Sequence, residues 1–204
     1  MTSRRQFIQS GVALSALSSA SVATLQTAFA AEDGTNALQL ERFIFDTRFA
    51  EAYDTAQIMD TRGVPLSSTA GDLMDLWYSE LDARWKQGPM ALAGVTTEDA
   101  LFVLETLAND HRMRVVFRGK HSIAQDGHIS HQMSGPASVV AQFDAAERVF
   151  GNELANAFTA CPLGTPDSAT ADLTTTIHGT SLRDVPLFSW IIAPRSAVSL
   201  MLNS

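Results

Sequence analysis

Apolar and polar positions follow two alternating rhythms between residues 42 and 118. Arg42-Phe43-Ile44-Phe45-Asp46 is a short β-type run. From Phe49 to Met59 the apolar positions Phe49, Ala52, Tyr53, Ala56 and Met59 recur at helical spacing, and Gly63 stops the pattern. Val64 to Ser68 reads as a second strand, weakened by Pro65. Leu73, Trp77, Leu81 and Trp85 then recur every four residues, flanked by Met74 and Tyr78, and predict a helix over 72–87 that ends at Gly88-Pro89. Met90 to Val95 is an apolar strand. Thr96 and Asp99 stand at capping-box spacing before a helix through Leu101, Leu104, Leu107 and Ala108. Met113 to Arg118 is the next strand.

Strands and helices in this order fit right-handed crossovers between parallel strands. The predicted class is α/β: three layers, a mostly parallel sheet with helices on both faces. The second half is less regular. Gly127 to Ser134 reads as the return arm of a hairpin turning at Asp126-Gly127. Pro136 opens a long helix to Ala160, with Gly151-Asn152 as the place for a kink. After a polar loop over 162–172, Leu173–Gly179 and Leu187–Ala193 read as two final strands forming an antiparallel C-terminal edge. No internal repeat or domain boundary interrupts 39–204, which is expected to be a single domain.

The first thirty residues have a different composition. Arg4 and Arg5, preceded by Ser3 and followed by Phe7 and Ile8, resemble the recognition motif of a twin-arginine (Tat) export signal. A serine-diluted apolar run over 11–25 follows, and Ala28-Phe29-Ala30 fits the small-x-small cleavage rule. The resemblance implies a signal peptide over 1–30, a flexible leader over 31–38 and a periplasmic location. A membrane span needs about 20 predominantly apolar residues, and this run is too polar to make a good one. The alternatives are an ordinary secretory signal and an uncleaved, membrane-anchored form.

Charge and cysteine usage narrow the function classes. The formal net charge is −8. Loss of the two signal arginines would take it to −10, because residues 1–30 hold no other charged side chain. Such an acidic chain lacks the basic face that nucleic acids or anionic lipids require. One cysteine, Cys161, permits no internal disulfide and no iron–sulfur ligand set. It reads as a small buried filler. No nucleotide fingerprint, phosphate loop, nucleophile elbow or metalloprotease motif occurs, so no cofactor is assigned.

In open α/β sheets, ligands sit outside the carboxyl ends of the strands. That rule gathers Asp46, Arg48, Thr96, Thr97, Lys120 and His121 as a candidate rim. His121 would be the general base and Asp46 would orient it, while Arg48, Thr96, Thr97 and Lys120 would bind an anionic ligand. The same residue types also cap helices for purely structural reasons. His121, His128 and His131 form a second constellation compatible with a metal. However, three-residue spacing puts His128 and His131 on opposite faces of a strand.

Gly71-Asp72-Leu73-Met74-Asp75-Leu76-Trp77-Tyr78, Gly88-Pro89, Ala93-Gly94-Val95-Thr96 and Leu101-Phe102 resemble a group of bacterial proteins that carry Tat signals. The resemblance covers about a third of the chain and brings no activity with it. Tat cargo often consists of redox enzymes and the partners exported with them. Two functions are therefore expected. One is an accessory or interaction subunit, travelling through the Tat translocon with a larger periplasmic redox subunit. The other is an autonomous periplasmic protein binding or transforming a small ligand at the rim.

Overall fold

Strand β1 (Arg42–Asp46) leads through helix α1 (Ala50–Thr61) to β2 (Leu66–Thr69). Helix α2 (Met74–Leu76), a π-helical turn (Trp77–Leu81) and α3 (Asp82–Gln87) then run as one rod to β3 (Leu92–Thr97). Helix α4 (Glu98–Asp110) leads to the hairpin of β4 (Met113–Ile123) and β5 (Ile129–Pro136). The remaining elements are α5 (Ala137–Val140), a 3₁₀ turn (Ala141–Phe143), α6 (Asn152–Thr159), β6 (Ser168–Thr175) and β7 (Leu187–Pro194). The structure is a computed structural model describing residues 37–123, 128–144, 146–164, 167–175 and 185–195. The export signal (Arg4, Arg5, Phe7, Ala28, Ala30), the Asp126-Gly127 turn and the end of the strand expected over 173–179 lie outside the described residues.

The seven strands form one mixed sheet in the order β2-β1-β3-β7-β4-β5-β6. The class is α/β. Among the described residues, only β1–β2 and β1–β3 are parallel pairs, and the other four pairings are antiparallel. The expectation of a mostly parallel sheet with both last strands at one edge is therefore corrected. β6 does take the edge, and its exposure alternates along the strand. β7 instead sits in the middle, between β3 and β4. All eight of its residues are buried, as an apolar run with few polar interruptions requires when both faces are covered.

Alternation along the strands feeds two cores. Phe43 and Phe45 join Ala52, Met59, Leu154 and Phe158 from α1 and α6. Ile44 points the other way, into a core with Trp77, Leu81, Trp85, Leu101 and Leu104. The four-residue repeat of the second core explains the π-helical turn. A period of four drifts around an α-helix of 3.6 residues per turn. One wider turn, of about 4.4 residues, brings the stripe back to a single face. Leu73, Trp77, Leu81 and Trp85 are all buried as a result.

Two further expectations are adjusted. The helix predicted over 136–160 is interrupted between Phe143 and Asn152, and it restarts after Gly151, whose φ of 79° no continuous helix allows. Helix α4 begins one residue later than the capping-box reading. Thr97 occupies the N-cap position and Thr96 remains in β3.

Trp190 of β7 is the largest fully buried side chain. Its indole N–H donates to the Thr96 hydroxyl at 3.0 Å, which spares a buried donor the 1–3 kcal/mol or so of going unpaired. Gly94 of β3 makes room for the ring. A Cβ there would meet the indole and lie 2.5 Å from the Ile44 carbonyl oxygen, a backbone atom with nowhere to go. Gly94→Ala is expected to destabilise the domain by on the order of 3 kcal/mol in urea unfolding. A loss below about 1 kcal/mol would contradict this packing.

Candidate functional site

The carboxyl ends that carry the candidate rim residues lie along one edge of the sheet, but the sheet divides the residues between its two faces. Strands β1, β2, β3 and β4 run in the same direction, so their carboxyl ends share one edge. Phe45, Val95, Ser189 and Gly119 lie in one row across the sheet. Side chains alternate, so Asp46, Thr96 and Lys120 project to one face, while Thr97 and His121 project to the other. Asp46 therefore does not orient His121. Its carboxylate oxygens accept hydrogen bonds from the Arg48 side chain at 2.6 to 3.2 Å, and one also accepts from the Arg48 backbone N–H.

Asp46 and Arg48 fill the point where the connections diverge. From β1 the chain turns to β2 through α1, and from β3 it turns the opposite way through α4 toward β4. Such a crevice is where open α/β sheets take ligands. Here Asp46 is fully buried, and the Arg48 guanidinium lies directly over Gly71, where any Cβ would collide with it. Hydrogen bonding to Asp46 raises the Arg48 pKa against the cost of desolvation, and the charges of Asp46 and Asp99 add to the effect. Thr96 is committed to Trp190 and its hydroxyl donates to the Thr97 carbonyl. Lys120 is half-buried, facing Phe188 and Gln132 across the strands.

The other face holds the stronger constellation. His121 and His131 stand directly opposite each other on β4 and β5. Their Nδ1 atoms are 2.7 Å apart. The Nε2 of His121 is 2.8 Å from the Ser189 hydroxyl of β7, and the Nε2 of His131 is 2.8 Å from the Thr175 hydroxyl of β6. One side chain from each of four adjacent strands thus joins a single row of hydrogen bonds. All four residues are buried. Gly119 permits the row, because a Cβ there would collide with the Ser189 hydroxyl. Phe150 covers it, with its ring centroid 4.6 Å from that of His121 and 6.0 Å from that of His131. The next residue, Gly151, is anchored to α1 by its backbone N–H, which donates to the Thr55 hydroxyl at 3.0 Å.

Sequence spacing had grouped His121, His128 and His131 as a metal set. Two of the three meet. His128 stands just before β5, and the four ring nitrogens of the pair are already engaged with each other, Ser189 and Thr175. Among the described residues, no three His, Cys, Asp or Glu side chains converge as a metal site. Ser189, Thr175 and Phe150 were not singled out from the sequence. Only the cross-strand register reveals them, although the lone serine in the apolar Leu187–Pro194 run was a usable signal. Cys161 is buried, which pushes its thiol up to about 11, as a filler role requires.

Cavities among the described residues include two that bear on these elements. One of about 530 Å³ is lined by Glu105, Phe117, Arg118, Ser134, Gly135 and Thr170. The other, of about 270 Å³, is lined by Asp54, Ile58, Arg148, Phe150 and Glu153 among others, and so touches the side chain that covers the histidines. No family model, curated protein or solved structure matches the chain.

Burial lowers the pKa of both imidazoles. His131 falls to about 4, and His121 falls well below its ordinary value, with the charge of a protonated His131 as a second cause. At neutral pH both rings are therefore uncharged and share one proton between their Nδ1 atoms. Either ring can be the donor. If His121 donates, its Nε2 accepts from Ser189 and His131 donates to Thr175; the reverse arrangement is equally complete. The unfolded chain binds protons near pH 6.5, whereas the folded chain resists them until about pH 4. Stability is thus full above pH 6.5 and is lost as pH falls through this window. For His131 the loss amounts to a few kcal/mol. Urea midpoints measured from pH 7.5 to 4.5 are expected to fall with acid, and much less so in His121→Leu/His131→Leu. A wild-type profile as flat as that of the double variant would contradict a buried neutral pair.

Proposed function

We propose that the chain is exported through the Tat translocon as a folded periplasmic protein and acts there as an accessory or interaction subunit beside a larger oxidoreductase. The proposed boundaries are a signal over 1–30, a leader over 31–38 and one domain over 39–204. The two cores, fed from opposite faces of the sheet, support reading that domain as three layers. No helix among the described residues is long and apolar enough to cross a membrane.

One observation carries the interaction reading. The π-helical turn and α4 bury most of their apolar side chains, yet Tyr78 is 75% exposed and Phe102 is 68% exposed. Nearby in sequence, Met74 is 38% exposed. Large exposed aromatic side chains are the residues that anchor partner surfaces. By contrast, the charged pair of the rim, Asp46 and Arg48, is engaged with itself, and the Thr96 hydroxyl is engaged with Trp190. Tagged chain purified from the periplasm is expected to elute together with a cofactor-bearing oxidoreductase. Tyr78→Ser/Phe102→Ser is expected to weaken that assembly at least tenfold while leaving the melting temperature within a few degrees. Elution solely at the monomer mass would overturn the reading, and Arg4→Lys/Arg5→Lys should leave the chain unexported.

A second reading, an autonomous small-ligand protein or enzyme, is favoured by Arg48. Its side chain is 49% exposed at the crevice although its charge is paired. An anionic ligand would bind there by competing with Asp46 for the guanidinium, and Arg48→Gln would abolish that binding.

A further inference from the structure

We propose that His121 and His131 form a two-nitrogen site for a monovalent copper ion. The argument starts from the direction of the nitrogens. Two imidazoles on directly opposed residues aim their Nδ1 atoms at each other, 2.7 Å apart, inside the core. Each ring has its other nitrogen on a hydroxyl, Ser189 for His121 and Thr175 for His131. Metal-ligating histidines are oriented in this way, with an outer partner holding one ring nitrogen so that the lone pair of the other is presented to the ion.

The proton count is also satisfied. The uncharged pair carries two protons on four ring nitrogens. Placing both on Nε2, as donors to Ser189 and Thr175, frees both Nδ1 lone pairs without releasing a proton. Each hydroxyl can accept as readily as donate, so this shift breaks no hydrogen bond at either end. What is lost is the shared proton between the Nδ1 atoms, and a metal ion takes its place.

The surroundings select the ion. Imidazole suits zinc, copper, iron and nickel. No carboxylate, thiol or third imidazole joins the pair among the described residues. A divalent ion would therefore keep its full double charge in a dry core and lack half of a tetrahedral shell. A d¹⁰ monovalent ion carries half that charge and is satisfied by two nitrogens in a line. Metal–imidazole bonds of about 2 Å place such nitrogens about 4 Å apart, so the rings must separate by a little over 1 Å. Phe150 is the side chain that must yield. Phe150 also lines the cavity of about 270 Å³ with Ile58 and Arg148, and its movement would open the pair to that cavity.

The test is an anaerobic titration of the folded full-length chain with Cu(I) against a coloured Cu(I) chelator, with X-ray absorption on the loaded protein. One Cu(I) per chain is expected, in a two-nitrogen shell. Affinity should fall at least 100-fold in His121→Gln/His131→Gln. Thr175→Val keeps both ligands and removes only an outer hydroxyl; it should weaken binding about 10–100-fold. Phe150→Ala should speed loading, and Cys161→Ser should leave binding unchanged. Absence of stoichiometric Cu(I) binding would overturn the proposal. So would sulfur ligation lost with Cys161→Ser, unchanged affinity in the double-histidine variant, or a preference for Zn(II).

Discussion

Strand β7 hydrogen-bonds to β3 on one side and to β4 on the other, and no other strand pairing joins the two parts of the sheet among the described residues. This is possible because Leu187–Pro194 is buried on both faces. Leu187 and Ile191 enter one core, and Phe188, Trp190 and Ile192 enter the other. The strand therefore seals both cores and also contributes polar anchors: the Trp190 indole to Thr96 and the Ser189 hydroxyl to His121. Close approach on either side depends on a missing side chain, Gly94 on β3 for the indole and Gly119 on β4 for the hydroxyl.

The His121–His131 pair follows from that arrangement. A buried imidazole is tolerable when each ring nitrogen has a partner, and here the partners come from β7, the β4–β5 hairpin and β6. The row fixes register as well as satisfying polarity. A one-residue slip of any of the four strands would turn its member to the opposite face and leave buried nitrogens unpaired. Asp46 and Arg48 satisfy each other in a similar way at the crevice. The domain closes these polar groups on one another in both places, while Tyr53, Tyr78 and Phe102 are exposed aromatic side chains among the described residues.

What could be read from the sequence was what is encoded locally. Elements from β1 to β4 appeared in the right order because each carries its own period within a dozen residues. The stripe Leu73-Trp77-Leu81-Trp85 announced a helix, and its strict period of four also contained the reason for the π-helical turn. Non-local features were harder to read. The central place of β7 depends on pairing with residues far earlier in the chain, though a run buried on both faces is itself the mark of an inner strand. For the site, His121 and His131 stood out by type and spacing, and strand parity separated His128 from His131. Ser189 and Thr175 did not stand out, because hydroxyl residues are common in strands and only the assembled register brings them to the rings. Phe150 was hidden inside an expected long helix that Gly151 interrupts.

The long sequence separation of the pairings made by β7 bears on folding as well. Its contacts span 94 positions between Thr96 and Trp190 and 68 between His121 and Ser189. Closing loops of that length is costly in entropy and slow, so the sheet is joined late. Until it is, the facing edges of β3 and β4 remain open templates for strands of other chains. Synthesis must reach residue 194 before β7 can fill those edges. Arrival of β7 ends the exposure on both edges in a single step.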